Sequence, residues 1–191
     1  MGLNAALSGA LIQDINQEIN YLVNELKTTY KDSVDMEKSW KMATLLIGAN
    51  NLCRACENYT DDTPETFGRL LNESISKLYR EIPRVRLNLL PIFNLSQVYL
   101  WAQQGEYCTE VWDLLEECPC LNMRNPSFSN RRLVDVAALG YRQQISLIAD
   151  YWQSLELDTF SVTVQPFLEN MKIINGDLTS NWDCFHPSAL G

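Results

Sequence analysis

Histidine is almost absent from this chain: among 191 residues His186 is the only one, so imidazole chemistry has a single address. Apolar runs long enough to span a membrane, which need roughly 20 residues, are also missing, and Met1-Gly2-Leu3-Asn4 has no basic flank leading into an apolar signal core. Basic residues are outnumbered, 15 against 24 acidic, and they are scattered rather than clustered. The net charge of -9 therefore argues against nucleic acid as a partner. No Gly-x-Ser-x-Gly elbow occurs, and Cys53-x-x-Cys56 has no second Cys-x-x-Cys to complete a zinc site, so neither a metal nor another cofactor is expected.

What is present points to an oxidising compartment. Six cysteines (Cys53, Cys56, Cys108, Cys118, Cys120, Cys184) are an even number suited to structural disulfides, although six allow 15 pairings and spacing cannot choose among them. Three glycosylation sequons begin at Asn58, Asn72 and Asn94. Together they favour the secretory route, and without a signal the expectation is a piece of a longer precursor, outside the cell or on the outer face of the plasma membrane.

Periodicity sets the fold class. Leu11, Ile15, Ile19, Leu22 and Leu26 recur at helical spacing, and Thr63-Pro64-Glu65 reads as the start of a second amphipathic helix. A third, long helix runs from Arg131 to Leu155, with Gly140 as a candidate kink. The apolar run Met42 to Ile47 predicts a strand buried on both faces, and Val85 to Phe93 and Phe160 to Val164 predict two more. Gln103 to Asn130 reads as an insertion or long loop. Helices alternating with short apolar strands predict one doubly wound α/β domain with its crevice at the carboxyl ends of the strands.

Three segments can carry chemistry. Asp183-x-x-His186 can supply a base and the carboxylate that fixes its tautomer from one turn. Gly48-Ala49-Asn50 closes the first strand, where Asn50 can donate to an oxyanion. Asn4 to Ala10 is a small-residue loop opening a helix.

In order, these segments resemble the blocks of the SGNH (GDSL-type) hydrolases. The flanks Leu3 to Ala10, Trp40-Lys41 leading to Gly48-Ala49-Asn50-Asn51-Leu52-Cys53, Leu90 to Ser96, Glu117-Cys118-Pro119-Cys120 and Asp183-Cys184-Phe185-His186 narrow the resemblance to the phospholipase B family. It implies a flavodoxin-like, three-layer α/β/α sandwich with a parallel sheet, here missing its first strand. It also implies a serine acyl-enzyme mechanism on phospholipid, lysophospholipid or similar acyl esters presented at a lipid surface. Gly9 and Asn50 would form the oxyanion hole, His186 would be the general base and Asp183 its orienter. The family's Gly-Asp-Ser block would lie before Met1, so residues 1–191 are expected to be one domain truncated at its N-terminus, and at its C-terminus too, lacking the nucleophile and inactive alone. Gly176-Asp177-Leu178 is a decoy with no serine after its aspartate, and Asn51 stands where the family has Asp. The competing readings are an SGNH esterase on short acyl or carbohydrate esters and a non-catalytic lipid-binding or structural product.

Overall fold

A computed structural model describes residues 3–57, 60–102, 105–121, 128–173 and 176–189. A 3-10 turn, Ile12–Asp14, leads into α1 (Ile15–Lys27), then β1 (Lys41–Leu45), α2 (Ala49–Leu52) and α3 (Pro64–Glu81). There follow β2 (Val85–Leu89), α4 (Ser96–Ala102), α5 (Glu106–Leu115), α6 (Phe128–Ser154) and β3 (Phe160–Val164). Among the described residues after β3 there are 3-10 turns at Pro166–Leu168 and Gly176–Leu178 and an isolated bridge between Thr179 and Pro187. The fold is thus mixed α/β around an open parallel sheet of order β1-β2-β3, as the resemblance implies.

The starts of the elements follow from local chemistry. Thr63 caps α3, its Oγ1 accepting the Thr66 N–H at 3.2 Å, and Pro64 takes the first turn, where no N–H is needed. Burial then selects one stripe of α3: Phe67, Leu71, Ser74, Ile75 and Leu78. Gly140 has a packing role within a continuous α6, because a Cβ there would stand 2.5 Å from Pro64 Cγ. The two helices therefore cross closely.

Both crossovers, β1 to β2 and β2 to β3, step across the sheet in the same direction. A right-handed connection then puts both sets of helices on the same face. On that face Val85, Leu87, Leu89, Phe160 and Val162 are buried, and Leu45 and Leu89 meet Phe67, Leu71 and Ile145. Tyr141 stacks on Phe67 at 4.0 Å between ring centres, and its hydroxyl donates to the Asp62 carbonyl at 2.6 Å.

The opposite face corrects one expectation. Met42 is 79% exposed and Leu46 53%, so the run Met42 to Ile47 is not buried on both faces. Its strand lies at the edge of the sheet, and among the described residues no helix packs over Met42, Thr44, Arg86 or Thr163. An apolar run reports what a strand is suited to meet, not what it meets. The stretch Gln103 to Asn130 also differs from a plain loop, since α5 and a 3-10 turn at Pro119–Leu121 lie within it.

Candidate active site

Strand β1 ends at Leu45, and three residues on stands Gly48, whose φ of +110° is hard for any side chain to adopt. A Cβ there would also come within 2.9 Å of the Phe67 ring. The turn releases the chain into α2, and its two asparagines grip the segment ahead of α1. The Asn50 Nδ2 donates to the Ala10 carbonyl at 2.9 Å, while the Ile12 N–H donates to Asn51 Oδ1 at 3.0 Å. Gly9, in the left-handed region at φ +74°, makes the turn that brings this loop back onto α2. Asn50 is thereby bonded to the residue that follows Gly9.

Asn51 is fully buried and is held on its other side by Asp62, to which its Nδ2 donates at 2.6 Å. Asp62 in turn pairs with Arg54 at 2.8 Å. Asn50 thus stands on a fixed platform.

The second half of the site lies beyond β3. Gln97, in the first turn of α4, donates to the Met171 carbonyl and accepts the Ile173 N–H, which ties the segment leading to the histidine to that helix. The histidine turn then closes on itself. Ser180 N–H donates to the His186 carbonyl at 2.7 Å, and Thr179 pairs with Pro187. Gly176–Leu178 forms a 3-10 turn whose Asp177 carbonyl accepts from Ser188, so the decoy is part of this frame.

Within the turn, Asp183 Oδ1 accepts the backbone N–H of Phe185 at 2.9 Å and of His186 at 3.0 Å, leaving Oδ2 for His186 Nδ1 at 3.0 Å. Burial pushes the Asp183 carboxyl up, but the donated bonds from Phe185 and His186 outweigh it and hold its pKa below the usual carboxylate range. An ionised carboxylate can only accept, so Nδ1 carries the proton, and in a neutral ring Nε2 then presents a lone pair. The His186 side chain is 58% exposed, and that nitrogen is open to a reactant.

Sequence reasoning missed Glu117 as a neighbour. Its carboxylate, Asp183 and the His186 ring lie within 4.8 Å of one another, and among the described residues they are the grouping that could hold a cation. Their separation in sequence, 66 residues from Glu117 to Asp183, hides that closeness. The six cysteines pair as Cys53–Cys118, Cys56–Cys120 and Cys108–Cys184. Of the sequons, Asn58 lies outside the described residues. Asn72 sits inside α3 with its Oδ1 accepting from Trp152 Nε1 at 2.8 Å, and Asn94 is exposed after β2. Among the described residues no helix is long and apolar enough to cross a membrane.

The GDSL-like lipase/acylhydrolase family matches residues 2–191. Membrane-associated phospholipase B1 is 32% identical over 198 residues in Mus musculus, 31% over 197 in Rattus norvegicus and 30% over 196 in Homo sapiens. Each alignment covers the whole of this chain, which spans 13% of the length of these relatives. The chain belongs to the GDSL-like lipase/acylhydrolase family.

Proposed function

We propose that this domain hydrolyses acyl esters of lipids, phospholipid or lysophospholipid, by transferring the acyl group to a serine and then to water. The observation that carries this reading is the Asp183–His186 pair, set in one turn with Nε2 open to a reactant. In the first step His186 Nε2 takes the proton of the serine hydroxyl as its oxygen attacks the ester carbonyl. Asp183 stabilises the imidazolium that forms, and the Gly9 N–H and Asn50 amide receive the negative charge on the carbonyl oxygen. Collapse expels the alcohol, protonated by His186. Water, deprotonated by the same nitrogen, then attacks the acyl-serine carbonyl, and the bond to the serine oxygen breaks, releasing the fatty acid as His186 returns the proton to that oxygen.

The nucleophile in this proposal comes from a Gly-Asp-Ser segment outside the 191 residues, adding a strand beside β1. The bare edge and uncovered face of β1 favour that arrangement. Three disulfides and the exposed Asn94 sequon favour a secretory, extracellular setting in which the substrate is met at a lipid surface.

The test compares residues 1–191 with a protein that also carries the Gly-Asp-Ser segment, on a p-nitrophenyl ester and a lysophospholipid. Residues 1–191 alone are expected to show no turnover sensitive to a serine-directed phosphonate, and the extended protein to show it. In the latter, Asn50→Ala should lower kcat by about 10²–10³, and His186→Ala should cost nearly as much as loss of the serine. Full activity of the His186→Ala protein would end the assignment.

A further inference from the structure

Helix α5 grips the histidine turn at three places. The Tyr107 hydroxyl donates to the Trp182 carbonyl at 3.0 Å, Cys108 is bonded to Cys184, and the buried Trp112 ring meets Phe185 edge-on at 5.5 Å between centres. Phe185 in turn meets the His186 ring edge-on at 5.1 Å. Cys184, between Asp183 and His186, holds a left-handed φ of +55°, a conformation that a side chain adopts at a cost and that persists where neighbours impose it. The far end of the same helix reaches the other half of the site. Glu116 ends α5, and within four residues Cys118 is bonded to Cys53 and Cys120 to Cys56. Cys53 closes α2, three residues after Asn50, and its carbonyl also accepts the Cys120 N–H at 3.0 Å. A helix of ten residues, about 15 Å long, is therefore bonded through sulfur to the base turn at one end and to the helix of Asn50 at the other.

We propose that α5 is the positioning element of the site, a covalent strut that sets the His186 ring against Asp183 and in register with Asn50. Hydrogen bonds within the turn fix the backbone of Asp183 to His186 only relative to itself. The contacts from α5 fix that turn relative to the rest of the molecule, beside the Gln97 bonds that hold the segment leading to it. The role assigned to His186 rests on the esterase reading; the strut does not.

Because His186 is the only histidine, its ring nitrogens give one set of resonances. Nitrogen-15 NMR of residues 1–191 is expected to show a neutral ring protonated at Nδ1, with a slowly exchanging Nδ1–H. In Cys108→Ser/Cys184→Ser, which keeps the other two disulfides, that proton signal should be lost to fast exchange and the tautomers should mix, while circular dichroism stays that of the folded chain. Should that variant fail to fold, Phe185→Leu, which removes the ring that Trp112 meets, is judged by the same signal. An unchanged Nδ1–H in a folded variant would overturn the proposal. In the extended, serine-bearing protein the same double variant should lose on the order of 10²-fold in kcat with little change in KM, since a displacement of about 1 Å at a catalytic group costs that much. A lost Nδ1–H with undiminished turnover would leave the strut standing and refute His186 as the base instead.

Discussion

Asn51 commits its whole amide to the interior. Its Oδ1 accepts the Ile12 N–H, and its Nδ2 donates to Asp62 Oδ1 and to Gln13 Oε1. An aspartate there would keep the first bond but turn a second carboxylate onto Asp62, with the Arg54 guanidinium offsetting only part of the repulsion. Asn51→Asp is expected to cost about 1–3 kcal/mol at pH 7. Like charge and burial would raise a carboxyl pKa in the folded state, so the penalty vanishes below the unfolded value of about 4 and grows as pH rises above it. Thermal denaturation at both ends of that range checks it; an equal deficit at acid and neutral pH would contradict the cause. At this scale the sequence is uneven. Asp183 and His186 stand close enough for one turn to join them, and the family resemblance singled out the pair, whereas the partners of Asn51 lie 11, 38 and 39 residues away and nothing local announces them.

At the scale of elements, the helix pair α3 and α6 offers a comparison between two glycines. A Cβ on Gly140 would lie 2.5 Å from Pro64 Cγ and 2.8 Å from its Cβ, a rigid ring at the start of α3. A Cβ on Gly68 would meet the end of the Gln144 side chain, which can swing away. Gly140→Ala should therefore destabilise by about 1–3 kcal/mol despite the better helix propensity of alanine, and Gly68→Ala should cost less. Urea midpoints with unchanged m values would show it. Thr63-Pro64 announced the start of α3, and Phe160 to Val164 alternated as a strand does. Helix α5 was not legible, because Cys, Pro and Asn on its far side make the whole stretch read as irregular. Its Trp112 finds the Phe185 ring only in the folded chain.

For the molecule as a whole, the described helices cover one side of the sheet and leave β1 as an edge open to association. The alternation of helices and strands revealed the fold class, but it could not reveal which face the crossovers would cover, since that depends on strand order. Trp40, Met42 and Leu46 line the uncovered side of an edge strand, with Arg84 and Arg86 stacked near the Trp40 ring. Such an edge invites a strand from another molecule. Met42→Lys with Leu46→Lys should shift residues 1–191 toward monomer in sedimentation experiments without lowering Tm, because both positions are already exposed. Unchanged association would point to another surface.

The three cystines overlap rather than follow one another: Cys108 falls between Cys53 and Cys118, and Cys184 lies beyond them all. A single backbone cut anywhere from Cys53 to Cys184 consequently leaves two pieces joined by sulfur, with His186 on one and Asn50 on the other. A nicked molecule can thus keep both halves of its site in one covalent body, and a protease acting on this region leaves the mass of the oxidised protein unchanged apart from the water that enters at the cut.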